Sequence, residues 1–245
     1  MSKSSAPLAL SVASITVPGD VEATLHHITE FDNREFGFNH NQTWNALPAA
    51  LRGVLRAERV EGTFSKAPKR VQNCIVALCR LGEELRLDTH AFADYSSAGL
   101  KTVQSIDWDP SVTIRVKGTC WYVENGSVII PLLQPRKAPL SNRRLSIYKT
   151  LAERAFCRGD WSAAKTAIID LSGAGEVIAN IVDHAHLPPV TEKDLREFVE
   201  TFVEAKRLAD IQRSKRESKP RAIPLFEALA RIIHRRWSDG LAGVA

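Results

Sequence analysis

The chain has few of the residues that announce a chemistry. Among its 245 residues are four cysteines, Cys74, Cys79, Cys120 and Cys157. They form no CxxC pair and no zinc-ligand spacing. Cys74 and Cys79 fall in an apolar helical pattern that suits buried, reduced thiols, so a cytoplasmic compartment is expected. No run of about 18 apolar residues is present to span a bilayer. The apolar patch within residues 1–13 is too short and too weakly charged for a signal peptide. Ser172-Gly173-Ala174-Gly175 lacks the Lys-Ser/Thr of a P-loop and the third glycine of a dinucleotide site, and it reads as a loop. His26, His27, Asp32, Glu35 and His40 are residue types that ligate metals. Without HExxH-like spacing they read as a polar, partly helical surface segment. Asp183-His184-Ala185-His186 reads as a polar loop. No internal repeat is visible, and no cofactor is expected.

What is present is an ordinary globular composition, 44% apolar and 25% charged, with a net charge of +5 and a pI of about 9.1. Such an excess suits an anionic partner only if it is concentrated in space. The most structured stretch is 112–137. Asn125-Gly126 lies between two β-branched and aromatic runs and predicts a hairpin with a type I′ turn. Its second strand is apolar after Ser127, as a strand covered on both faces would be. Upstream, the spacing of Trp44, Leu47, Leu51, Val54 and Leu55 predicts a helix over 43–57. A second helix over 65–85 would be capped by Ser65 and bury Val71, Cys74, Ile75, Leu78, Cys79 and Leu85. These two should pack as a helical hairpin. Residues 1–20 read as poorly ordered, or as an edge strand at 11–17. Between 90 and 133 four short, mostly antiparallel strands are expected.

After the hairpin, Ser141 caps a helix with Leu145, Tyr148, Leu151, Ala152, Ala155 and Phe156 on its apolar stripe. A buried strand at 166–172 then completes a β-α-β unit whose strands are parallel. Pro188-Pro189 precedes a helix from Thr191, with Asp194 in the capping-box position, and a last helix is expected at 224–237. The fold class expected is α/β (α+β): a small mixed sheet with a central hairpin and one β-α-β unit, flanked by helices. The organisation is a partly ordered extension over 1–41, the helical hairpin and mixed core over 42–187, and a C-terminal helical region over 188–245.

This order of elements, over about 65–172, resembles the restriction-endonuclease-like, PD-(D/E)xK, nuclease superfamily. The resemblance implies an Asp on one strand and a Glu-x-Lys on the next, holding a divalent metal and orienting the attacking water. Where Glu-x-Lys would stand, this chain has Gln134-Pro135-Arg136 followed by Lys137. Where the Asp would stand it has Thr119, Cys120, Trp121 and Tyr122. The match is to a scaffold without its metal site.

The resulting expectation is a non-catalytic nucleic-acid-binding protein. Arg136, Lys137, Arg143, Arg144 and Lys149 surround one strand-to-helix junction, where guanidinium groups and a helix N-terminus can hold phosphate oxygens. The stretch 206–221 adds Lys206, Arg207, Arg213, Lys215 and Arg216, with Lys219 and Arg221 beyond them. DNA and RNA are not distinguished. An alternative is a protein-interaction or self-assembly module, docking a protein partner or a second copy through Phe198, Phe202, Phe226 and Trp237. A second alternative is a metal-dependent nuclease with an atypical site drawn from Asp107, Asp109, Glu124 and Asp170. No membrane association is expected.

Overall fold

The computed structural model describes residues 7–33, 40–87, 92–95, 101–109 and 112–217. The helix expected at 224–237, with Phe226 and Trp237, lies outside the described residues, as do Glu35, Lys219 and Arg221. The chain divides into two compact units, residues 1–206 and 207–245. The first opens with α1 (Ala9–Ile15), α2 (Val21–Asn33), α3 (Asn41–Leu51), the short α4 (Val60–Thr63) and α5 (Lys69–Leu85). Five strands follow: β1 (Phe92–Asp94), β2 (Val103–Asp109), β3 (Val112–Lys117), β4 (Cys120–Glu124) and β5 (Ser127–Gln134). The chain continues through α6 (Asn142–Phe156), β6 (Lys165–Asp170), β7 (Asn180–Ile181) and α7 (Glu192–Glu217).

The fold is mixed α/β. One sheet has the order β1-β4-β5-β6-β7, and β2 and β3 form a separate antiparallel pair. β5 and β6 are parallel, in register from Ile129↔Lys165 to Gln134↔Asp170, with α6 as the crossover. β4 and β5 form the hairpin, and Asn125 and Gly126 both take positive φ, 49° and 73°, as a type I′ turn requires. The β4–β5 ladder ends at the Tyr122↔Ile129 pair. Two residues further along β5 stands Pro131, which has no N–H to offer it.

Alternation along the strands sends Cys120, Tyr122, Ile129, Leu133, Ala167 and Ile169 to one face, where they share a core with Trp44, Leu47, Leu51, Ile75 and Leu78 of α3 and α5. Ile130, Leu132 and Ile168, none of them solvent-exposed, point to the α6 face. There Tyr148 donates its hydroxyl to the Leu133 carbonyl at 3.3 Å.

Several local expectations need correction. Residues 9–15 form α1 instead of an edge strand, because Ala9, Leu10, Val12 and Ala13 give an apolar helical stripe that is buried in the packing with α6 and β3. α3 stops at Leu51 because Gly53 takes φ 70° and its N–H bonds back to the Ala50 carbonyl at 3.0 Å. α5 starts at Lys69 with Pro68 in the N-cap position, so Ser65 caps nothing there. The 90–133 region holds one more strand than expected, since 112–124 breaks into β3 and β4 at Gly118-Thr119. Other expectations hold. Ser141 accepts from the Arg144 N–H, and Thr191 and Asp194 exchange reciprocal cap bonds of 3.1 Å.

The helical hairpin of α3 and α5 meets at Gly82, where a Cβ would lie 2.2 Å from the Ala50 carbonyl oxygen and 2.9 Å from Leu51 Cα. Intrinsic propensity favours alanine over glycine in a helix by roughly 1 kcal/mol. Here the backbone of α3 blocks it, and overpacking of this kind costs about 1–3 kcal/mol. Gly82→Ala is therefore expected to destabilise the protein in chemical denaturation. Gly62→Ala, with nothing within 4 Å of its Cβ position, should be neutral or stabilising.

Candidate nucleic-acid interface

The junction after β5 is built from inside the sheet. Gln134 is fully buried. Its amide nitrogen donates to the Ala138 carbonyl at 2.9 Å, and its amide oxygen accepts from the Arg136 N–H at 3.1 Å. That pair of bonds needs one donor and one acceptor on the same side chain, which an ionised carboxylate cannot supply. Its neighbour across the parallel ladder, Asp170, accepts from the backbone N–H and the hydroxyl of Ser172 at 2.9 and 3.0 Å. Both side chains at this strand end therefore hold their own loops. The Gly173 N–H donates to the Lys137 carbonyl at 2.9 Å, tying the two loops together.

The cations at the junction reach mostly inward. Arg136 donates to the hydroxyls of Ser14 and, at 3.1 Å, Ser11 on α1, and its guanidinium lies 5.6 Å from the centre of the Phe31 ring. Arg144 donates to the Thr16 carbonyl at 3.4 Å. Arg143 donates to the Pro189 carbonyl at 2.8 Å and pairs with Asp194 at 3.1 Å. Lys149 pairs with Glu153 one helical turn away at 2.7 Å. The side chain of Lys137 is exposed. Arg136 and Arg144 thus meet on α1 and the segment after it, while Arg143 meets the start of α7.

Lys206 is half-exposed, and Arg207, Arg213 and Lys215 are exposed on α7. The Arg216 side chain lies outside the described residues. Seven residues apart, Lys206 and Arg213 share a side of the helix, while Lys215 stands on the other. The cations encircle this part of the helix instead of lining one stripe.

The acids do not gather. Glu124 pairs with Ser127 beside the hairpin turn, whereas Asp170 pairs with Gln134 at the far end of β5. Seven residues of strand separate those two rungs, roughly 23 Å at the usual rise. Asp107 accepts from the Thr113 hydroxyl at 2.8 Å, and the Asp109 side chain is outside the described residues. Among the described residues no three His, Cys, Asp or Glu side chains are placed to share a metal ion. Of the histidines singled out in the sequence, His27 bonds to the Ile15 carbonyl at 2.8 Å and His26 approaches Glu30 at 3.5 Å. Burial, with Arg70 and Arg136 nearby, holds His40 below the usual imidazole range. Phe198 and Phe202 are each 2% exposed, so they belong to the core and not to a docking surface.

One cationic feature escapes the sequence reading. Where the C-terminal end of α6 meets β2, Tyr95, Lys101, Gln104, Ala155, Phe156, Arg158 and Trp161 line a cleft of about 190 Å³. Its lining residues come from three separate segments of the chain, around 95, 101–104 and 155–161, so no spacing in the sequence marks them.

The engaged arginines lead to two expectations. Arg136→Ala removes charged donors to the two α1 serines, at about 1.5–3 kcal/mol for a bond to a charged group. The melting temperature should fall and cleavage within the first 20 residues should accelerate in limited proteolysis. Hydrogen bonds from Thr191, followed by the Arg143 guanidinium, hold the Asp194 carboxyl down at about 2. A depressed carboxylate contributes in full above the unfolded range, roughly pH 4, and its contribution disappears as pH falls through the folded value. Carboxyl NMR titration should place Asp194 at about 2, and Arg143→Gln should raise that midpoint.

No family model and no curated protein matches the chain. Among solved structures, one described as "Crystal structure of SSO0001" aligns with 72% of this chain and 86% of its own, at 12% identity and a TM-score of 0.30. A likeness at that score supports neither a shared fold nor a shared function.

Proposed function

We propose that the protein is a non-catalytic nucleic-acid-binding protein on a nuclease-like scaffold, with the basic second half of α7 as its principal phosphate-facing element. The observation that carries this reading is the charge of that stretch. Residues 206–217 hold Lys206, Arg207, Arg213, Lys215 and Arg216 against Asp210 and Glu217. A helix with cations on several sides follows a phosphate backbone without needing one defined contact surface, and each phosphate it neutralises releases condensed counterions. The exposed Lys137 adds a cation at the strand-to-helix junction. Arg136, Arg143, Arg144 and Lys149 serve the fold in this reading.

The non-catalytic part rests on residue chemistry at the strand ends. In the nuclease-like reading a neutral amide, Gln134, would stand where that superfamily has a metal-binding carboxylate, and it is committed to the loop that follows it. Asp170 is committed to Ser172 in the same way.

Fluorescence anisotropy with short duplex and single-stranded DNA and RNA, over a series of salt concentrations, tests the reading. Replacing Arg207, Arg213, Lys215 and Arg216 together by Gln should flatten the log affinity against log salt plot by about 0.7–0.9 for each phosphate that is no longer neutralised. Arg143→Gln, whose partners are Pro189 and Asp194, should leave the slope unchanged. An unaltered slope in the fourfold variant, or no binding at low salt, would sink the proposal.

A further inference from the structure

We propose that the cleft at the C-terminal end of α6 is a nucleotide site, which stacks one base against Trp161 and holds its phosphate between Lys101 and Arg158. The proposal depends on the preceding one only for the source of the nucleotide, a strand or a free mononucleotide.

The cleft is built in layers. Tyr95 and Phe156, 4% and 7% exposed, stack with their ring centres 6.0 Å apart and their planes 23° from parallel. The Phe156 ring sits over Gly118, where a Cβ would come within 2.8 Å of Cζ, so this strand junction is shaped around the ring. These two rings form a fixed apolar floor. Trp161, on a single 3-10 turn after α6, is half-exposed at the rim and is braced edge-on by Trp121 at 5.6 Å. A braced, partly exposed indole offers a stacking surface at little entropic cost.

The rim supplies charge of one sign. Lys101 and Arg158 are exposed, and Arg158 reaches across to the Ser105 carbonyl at 3.3 Å, which holds it over β2. Gln104, half-exposed on β2, offers both a donor and an acceptor to a base edge. Among the described residues, none that lines the cleft is acidic. Two carboxylates are next to lining residues in sequence: Asp94, half-buried before Tyr95, and Asp160, exposed on the turn before Trp161.

Size decides the occupant. At about 190 Å³ the cleft is below the roughly 300–1,000 Å³ of sites for drug-sized ligands, so it accepts one ring system and leaves the sugar and phosphate at the rim. An aromatic ring that carries an anion, with donors and acceptors on its edge, is the description of a nucleotide. A purely apolar ligand would leave Gln104 and both cations without a purpose. An anion without a ring would leave the indole without one.

Calorimetric titration of the full chain with adenosine, AMP and a short oligo(dA) tests the site. AMP should bind, and adenosine, which lacks the phosphate, should bind at least about fivefold more weakly, the upper range for an exposed charge pair. Trp161→Ala should weaken AMP by about tenfold, in line with the loss of one stacked base. Lys101→Glu and Arg158→Glu should each weaken it by about fivefold without altering adenosine. Circular dichroism of each variant checks that the fold is intact. Oligo(dA) binding tighter than AMP assigns a strand as the source, and equal binding assigns a free nucleotide; either supports the site. No heat with AMP at millimolar concentration, or AMP binding unchanged in both Trp161→Ala and Lys101→Glu, overturns it. If AMP does not bind while strands bind with their salt dependence intact, the cleft proposal fails and the α7 reading stands. If AMP binds but no strand does, the cleft stands and the α7 reading fails.

Discussion

The organising constraint is the burial of β5 on both faces. A strand covered in this way must satisfy every polar group at its exit within the protein, because an unpaired buried donor or acceptor costs about 1–3 kcal/mol. The C-terminal end of β5 shows how that is met. The Leu133 carbonyl accepts from the Tyr148 hydroxyl, and the Gln134 carbonyl accepts from the Leu171 N–H. The Gln134 amide closes the next turn on Ala138 and Arg136. Arg70 crosses from α5 to the carbonyls of Leu171 and, at 3.1 Å, Gly173. Glutamine, tyrosine and arginine therefore appear at this point because the sheet needs fixed donors, and the same need consumes side chains that would look like a ligand site in the sequence.

That constraint separates two kinds of cation that composition counts alike. Arg136 and Arg144 are bound to hydroxyl and carbonyl oxygens of the segment from Ser11 to Thr16. Their charge is spent on docking α1, so they contribute to the outer field only as partly buried, partnered groups. Lys101, Arg158 (which also donates to the Ser105 carbonyl) and the α7 residues Arg207, Arg213 and Lys215 have exposed side chains, where charge is screened but accessible. The +5 of the whole chain is a sum over both kinds. Which kind a residue belongs to depends on a partner that can be more than 120 residues away in sequence, as Ser14 is from Arg136.

This distance also explains what could be read before the fold was known. Short-range physics was legible. The positive-φ demand of Asn125-Gly126, the Ser141 cap, the Thr191–Asp194 box and the apolar stripe of α5 each need only a short stretch of neighbouring sequence, and each appears as expected. The parallel pairing of β5 with β6 followed from the crossover rule. α1 departs from the expected edge strand because Ala and Ser alternate with Leu and Val there, and only its packing on α6 and β3 decides for the helix. The helix expected at 43–57 ran too long because its apolar stripe continues into Val54 and Leu55 beyond the left-handed Gly53. The aromatic cleft was invisible for a different reason. Tyr95, Gln104, Phe156 and Trp161 share no periodicity, and they come together only when the β2–β3 pair lies along the end of α6.

The same logic orders the candidate surfaces by what their residues are free to do. At the β5 exit, geometry uses neutral amides and inward-facing guanidinium groups, and the cost of undoing it would fall on the fold. At the α6 end the apolar work is done by Tyr95 and Phe156, which are buried and stacked on each other. Trp161 is braced from one side by Trp121 and remains partly exposed on the other. Packing on Trp121 accounts for the buried part of the indole, and its exposed part lines the same cleft as Lys101 and Arg158. The floor of the cleft is explained by packing alone, but its rim is not, and an aromatic ring carrying a negative charge is the partner that accounts for the indole, Gln104 and both cations together.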